Sequence, residues 1–232
     1  MGAALLALAP GRVLPQTLAD AEKLADLCGS HLDRAAYRDA VTVCNQALAM
    51  ALPLAKASQR LGMEKFRAGQ YRAALADFEE VQRIWIPLKK ALLVRGIAYG
   101  MLGEPERTRN STREATAANF LLAEAFINAA KAHVALGDRA AATRSFVEAL
   151  ENNQEALHAF RGNTEAAVAG RGNYLRGIAK AALADLGSPR GDRREACEAY
   201  RKAAALGYEP GVKWLASEEG AWCRAGASAS QP

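Results

Sequence analysis

Three histidines and a few glycine-rich strings are the first residues of this chain to consider for chemistry. The histidines are His31, His133 and His158, too far apart along the chain for the short ligand spacing typical of a zinc site. No serine stands in a G-x-S-x-G sequence, and neither a P-loop nor an H-E-x-x-H string occurs. The sequence therefore predicts no catalytic residue, no metal site and no cofactor.

The four cysteines are Cys28, Cys44, Cys197 and Cys223, and none of them forms a C-x-x-C pair. A zinc site or a thioredoxin-type redox site is therefore not indicated. Two interpretations stay open. The cysteines are either small apolar core residues in a reduced protein, or partners in disulfides. The elements that position them have to decide.

Composition points to an all-α fold. Half of the 232 residues are apolar, but only 6% are aromatic, so the core must be built mainly from Ala, Leu, Ile and Val. Such a composition favours closely packed helices over a β-sandwich. No uninterrupted apolar run of about 18 residues occurs, so we expect no membrane-spanning helix. The net charge of +5 is dispersed among acidic residues, which argues against a nucleic-acid partner.

A period of 34 residues organises most of the chain. In a unit that starts at Ala55, Gly62 is the eighth residue, Gly69 the fifteenth and Phe78 the twenty-fourth. A small eighth residue lets two helices approach closely, and a glycine at position fifteen suits a left-handed helix end. Shifting by 34 residues in either direction places four units at starts 21, 55, 89 and 123.

The fourth unit, AEAFINAAKAHVALGDRAAATRSFVEAL, shows the pattern most completely. This pattern resembles the tetratricopeptide repeat, which implies an all-α solenoid of stacked antiparallel helix pairs coiled into a superhelix. The resemblance assigns residues 21–156 to four repeats. It assigns residues 157–219 to a modified fifth repeat, similar to a Sel1-like unit, plus a capping helix. We expect residues 220–232 to form a disordered tail.

The N-terminal segment, residues 1–20, has two interpretations. Its residues 3–9 form a short apolar run like the central region of an export signal, but no Lys or Arg precedes it. It is either an export-signal remnant or a flexible tail. A periplasmic or secreted location is slightly favoured over the cytoplasm.

The repeat also positions the cysteines and two histidines. With a turn near Ala35, Cys28 and Cys44 fall on facing sides of two antiparallel helices, which predicts a disulfide between them. Cys197 and Cys223 are candidates for a second bridge near the C-terminus. Either bridge would place the protein outside the reducing cytoplasm. His31 and His133 occupy equivalent positions three units apart, so they cannot share a metal.

The resemblance further implies a concave groove that binds a peptide or helix of another protein. In the family, the groove is lined by positions two, five, six, nine, twelve and thirteen of the first helix of each unit. These residues would form a surface that is apolar in its middle and basic at one side, suited to a partner with apolar and some acidic residues. Carried onto this chain, the groove residues are Lys56, Gln59, Arg60, Met63, Phe66, Arg67, Lys90, Leu93, Val94, Ile97, Ile127, Asn128 and Lys131.

Two functions are compatible with these features. The first is a non-catalytic scaffold or adaptor that binds its partner in the groove. The alternative is a regulatory or assembly subunit of an enzyme complex, which would contact its partner through the convex face or the insertions at 151–169 and 184–192. A catalytic function would require the inserted loops to gather ionisable groups such as His158, Arg161 and Arg190 in one pocket.

Overall fold

The computed structural model describes residues 14–159 and 166–228. Within these ranges the chain contains helices and turns and no β-strand, which confirms the predicted all-α helical-repeat fold. The interpretations of residues 1–13 and of Arg161 concern parts of the chain outside the described residues. The helices are α1 (Leu14–Asp33), α2 (Tyr37–Arg67), α3 (Tyr71–Met101), α4 (Pro105–Ala135), α5 (Arg139–Ala159), α6 (Ala166–Asp185), α7 (Arg193–Ala205), α8 (Glu209–Ala216) and α9 (Ala221–Ser228).

The turns follow the 34-residue period. Helices α2 to α5 begin at residues 37, 71, 105 and 139. Each of the last three is preceded by a glycine at position fifteen with a φ of 72° to 78°, in the left-handed region that glycine adopts without steric cost. The first turn places Ala35 there, with a φ of 57°. In the first hairpin, an alanine therefore adopts the left-handed conformation that a glycine adopts in the later ones.

Helices α2, α3 and α4 are longer than the helices of separate repeat hairpins would be. Each contains 31 residues and runs without a turn from the second helix of one unit through the first helix of the next. At 1.5 Å per residue such a helix is about 46 Å long. Pro53 and Pro87 lie inside α2 and α3 near these unit boundaries. The N-terminal part is therefore an antiparallel row of long helices.

This continuity decides which units pack together. The second half of α3 packs against the first hairpin, where Val94 joins Cys28 and Cys44 in one buried cluster. The second half of α4 packs against the second hairpin, where Ala129 joins Ala74 and Phe78. The first helix of unit three thus contacts unit one, and the first helix of unit four contacts unit two. These contacts arise because the chain makes no turn at the unit boundaries inside α3 and α4.

Positions eight and twenty-four approach each other closely across the helix pair in several units. A Cβ atom added at Gly62 would lie 2.6 Å from the Phe78 ring, and one added at Gly177 would lie 2.8 Å from the Tyr200 ring. In the first unit the same two positions are Cys28 and Cys44, which form a disulfide with a Cα–Cα distance of 5.2 Å. The predicted cysteine pair therefore replaces a glycine–aromatic pair.

A disulfide and aromatic contacts attach the C-terminal segment to the preceding helices. A disulfide joins Cys197 in α7 to Cys223 in α9, with a Cα–Cα distance of 5.3 Å. Tyr200 stacks on Trp214 with ring centroids 3.6 Å apart, and Trp222 packs edge-on against Trp214. Part of the segment expected to be disordered, residues 220–232, is accordingly the helix α9.

Among the described residues, one helix, α2, is long and apolar enough to cross a membrane, although the sequence predicted no such helix. The most apolar window of α2 has a mean hydropathy of 1.2, and 33% of it is buried inside the fold. In the structure α2 packs against α1 and α3 as part of the row of helices.

Candidate functional site

The structure does not gather the predicted groove residues on one surface. Met63 and Phe66, in the second half of α2, pack against the Phe78 cluster. Val94, in α3, packs beside Cys44 in the first half of α2. Since α2 is one continuous helix, the 19 residues from Cys44 to Met63 separate these two places by about 28 Å. Met63 and Phe66 of unit two therefore lie far from Val94 of unit three along the long helices.

Two predicted groove residues belong to the core. Val94 is 8% exposed and Ile127 is 3% exposed, so most of each side chain packs inside the fold. The remaining predicted residues retain partial or full exposure. They are Lys56, Gln59, Arg60, Met63, Phe66 and Arg67 on α2, Lys90, Leu93 and Ile97 on α3, and Asn128 and Lys131 on α4.

Lys131 stands in a crowded position near the C-terminal segment. Surrounding protein partly desolvates its ammonium group and lowers its pKa below the usual value, and the nearby Glu219 carboxylate partly offsets that effect. The same carboxylate contributes, after burial, to raising the pKa of Tyr174. Glu219, between α8 and α9, is therefore within electrostatic reach of Lys131 on α4 and of Tyr174 on α6.

An open groove does form between α1 and the outer face of α3, with a volume of 690 Å³. We call it the α1–α3 groove. Its apolar lining includes Ile86, Leu93 and Ile97, and its charged lining includes Asp26, Arg83 and Lys90. Four predicted residues, Lys90, Leu93, Val94 and Ile97, therefore line one groove, with Val94 largely buried at its floor. Their neighbour across the groove is the first unit, because α3 crosses the unit boundary without a turn.

The outer face of α3 carries an exposed apolar stripe. Its members, Ile86, Leu93, Ile97 and Met101, are between 48% and 59% exposed. Spacings of seven, four and four residues place them on one side of the helix, along about 22 Å. Single exposed apolar residues are ordinary on protein surfaces, whereas several large ones on one helix face, here with Lys90 between Ile86 and Leu93, are less common.

Charges border this stripe on both sides. Lys90 pairs with Asp26 across the groove at 3.1 Å, and Lys89 pairs with Glu155 of α5 at 2.9 Å. Arg83 pairs with Glu80 on its own helix. With Glu22 added, the charged groups at this groove are three cations and four carboxylates, and each cation is paired with a carboxylate of this chain. The α1–α3 groove is therefore apolar along its floor and bordered by ion pairs.

A second, more polar cavity lies between α5, α6 and the loop that joins α6 to α7. It has a volume of 370 Å³ and is lined by His158, Arg176, Lys180 and Arg190, with Asn153 at its side. We call it the basic cavity. The sequence singled out His158 and Arg190 but missed Arg176 and Lys180. Their four-residue spacing on α6 was a signal for a shared helix face.

The described residues contain no group of three His, Cys, Asp or Glu side chains that could hold a metal ion. Asp192 caps α7 by accepting hydrogen bonds from the backbone N–H groups of Glu195 and Arg194, and these bonds lower the pKa of its carboxyl group. That carboxylate therefore has a structural role.

Comparisons with known proteins do not identify a family for this chain. No family model matches the chain, and no curated protein matches it significantly in sequence. Among solved structures, one titled "Crystal structure of MamA protein" is similar over 88% of this chain and 96% of that chain, at 16% identity and a TM-score of 0.19. Such a TM-score carries no argument about function. The helices and the 34-residue period themselves define an all-α helical-repeat protein.

Proposed function

We propose that this protein is a non-catalytic scaffold that binds an amphipathic helix of another protein in the α1–α3 groove. The observation that supports this proposal is the apolar stripe on α3, which is exposed along about four helical turns. A helix presenting apolar residues at spacings of three and four would bury the stripe, in the helix-in-groove mode of recognition.

The groove also favours a particular partner charge. Lys90 and Arg83 stand at its edge, and their side chains are 58% and 66% exposed, so each can contact a partner's carboxylate in addition to Asp26 or Glu80. Acidic residues beside the partner's apolar stripe would therefore meet cations, which increases the association rate and fixes the orientation of the helix. Rim charges of this kind contribute less to affinity than the buried apolar contacts do.

A crosslinked pull-down from the source organism tests the proposal with matched variants. Leu93→Asp and Ile97→Asp introduce a carboxylate into the stripe, whereas Leu61→Asp introduces one at a leucine of similar exposure in the second half of α2. We expect the partner to be captured by the wild type and by Leu61→Asp and lost from the two stripe variants. Circular dichroism would confirm that all variants are folded.

The bound segment can then be identified from the crosslinked peptides and synthesised. Fluorescence anisotropy should show that this peptide binds the wild type and the Lys56→Glu variant, and that Lys90→Glu weakens binding. Capture that survives both stripe variants would refute the groove, and a crosslinked segment without an apolar helical stripe would refute the proposed partner.

We also propose an oxidising compartment for the protein, periplasmic or extracellular. Two disulfides support this, because such bonds persist where thiols are not kept reduced by the cell. Alkylation of the protein as isolated, without reductant, should leave all four cysteines unmodified by mass spectrometry. Four alkylated cysteines would point to a reducing compartment.

A further inference from the structure

The basic cavity is separate from the α1–α3 groove and presents only one sign of charge. Among the described residues that line it, Arg176, Lys180 and Arg190 are cations and none is a carboxylate. The remaining polar lining consists of His158, Gln154 and Asn153, and Leu150 and Leu157 supply an apolar side. A cavity with this lining is suited to an anionic group attached to an apolar body.

The counter-charges of these cations are held outside the cavity. Glu195, at the start of α7, accepts hydrogen bonds from both Arg176 and Lys180, at 3.0 Å and 3.1 Å to the same oxygen. These bonds lower the pKa of Glu195, so the carboxylate stays ionised. Arg190 is held by Glu151 at 2.7 Å. The three cations thus face two carboxylates, which leaves an excess of one positive charge beside the cavity for an anion.

Asn153 adds an independent sign of an unfilled interaction. It is 2% exposed and donates from Nδ2 to the Gly172 carbonyl at 2.9 Å. Its Oδ1 is buried and has no hydrogen-bond partner among the described residues. A buried amide oxygen without a donor costs free energy. Because this oxygen has almost no accessible surface, a ligand group could donate to it only if neighbouring side chains shift.

We propose that the basic cavity binds an organic phosphate, with the phosphate group between Arg176, Lys180 and Arg190. A phosphate monoester carries close to two negative charges and three acceptor oxygens, which suits three cations better than a single carboxylate does. The volume of 370 Å³ leaves room for an organic body, which would contact Leu150 and Leu157. The site lies between α5, α6 and the loop that joins α6 to α7, away from the apolar stripe on α3.

Isothermal titration calorimetry of the full chain tests this with three probes. Phenyl phosphate supplies the anion and an apolar ring, inorganic phosphate supplies the anion alone, and benzoate supplies a carboxylate on the same ring. We expect saturable one-to-one binding of phenyl phosphate below about 10 mM, weaker binding of inorganic phosphate and the weakest of benzoate. No saturable binding, or benzoate binding as tightly as phenyl phosphate, would overturn the proposal.

Variants with matched charge changes locate the site. Arg190→Gln and Lys180→Gln should each weaken phenyl phosphate binding about tenfold, the loss expected for one charge-assisted hydrogen bond. Arg38→Gln, on the exposed surface at the start of α2, removes the same charge elsewhere and should leave binding within about twofold. Equal weakening by all three would mean non-specific attraction of anions and would overturn the assignment.

Discussion

The close approach at Gly62 makes a prediction about stability with a matched control. The substitution Gly62→Ala would place a Cβ atom 2.6 Å and 2.8 Å from two atoms of the Phe78 ring and 3.2 Å from Asp77 Cβ. The Phe78 ring is fully buried and packed against Ala74 and Ala129, so it cannot simply move aside. Overpacking of this kind costs about 1 to 3 kcal/mol.

A second effect has the opposite sign. Replacing glycine by alanine inside a helix stabilises it by about 1 kcal/mol. The net expectation for Gly62→Ala is therefore a loss of about 1 kcal/mol in the free energy of unfolding, or about 2 to 4 °C in Tm for a chain of this length. Gly29→Ala is the control, because its Cβ would meet only Lys90 Cε at 3.9 Å. It should gain about 1 kcal/mol.

Urea unfolding followed by circular dichroism, with the disulfides intact, measures both values. The two variants should therefore differ by about 2 kcal/mol although the chemical change is identical. In a Phe78→Leu background the penalty of Gly62→Ala should shrink, because the ring atoms that the methyl group contacts are gone. A Gly62→Ala protein as stable as Gly29→Ala would refute the reasoning that close packing requires glycine there.

Two further predictions concern the first hairpin. Ala35→Gly should raise the free energy of unfolding by about 1 kcal/mol in urea titrations, because Ala35 has a φ of 57° in the left-handed region; a decrease would show that the alanine is unstrained. Replacing both Cys28 and Cys44 by alanine removes a bridge across 16 residues and should lower the free energy of unfolding by about 3 kcal/mol. Scanning calorimetry checks this, and an unchanged Tm would show that the bridge adds nothing to stability.

The sequence determined the helical class and the positions of the turns. The glycines at position fifteen are local signals, because a left-handed residue ends a helix wherever it occurs. Gly69, Gly103 and Gly137 therefore fall in the turns at the expected places, with positive φ values. The facing cysteines were also predictable, since a turn near Ala35 sets Cys28 opposite Cys44 within a single hairpin.

The tertiary structure decided whether the chain turns between units. Pro53 and Pro87 favour a break there, because proline lacks an N–H donor and crowds the preceding turn of a helix. The helices nevertheless continue, and the residues around each boundary, such as Leu48, Ala55, Ile84 and Leu88, are buried together in one central cluster. Burial against three neighbouring helices is a non-local effect that outweighs the local cost of a proline.

The surfaces depend on that decision. Positions within a unit indicated which side of a first helix faces outward, and Leu93 and Ile97 are exposed as the repeat implies. The sequence did not indicate which unit these residues face. Because the chain makes no turn inside α3, the second half of this helix lies beside the first unit. The basic cavity likewise depends on the inserted loop between α6 and α7, which places Arg190 in the same lining as Arg176 of α6. Local sequence determined where this chain bends, and only the packing of its long helices decided which side chains meet.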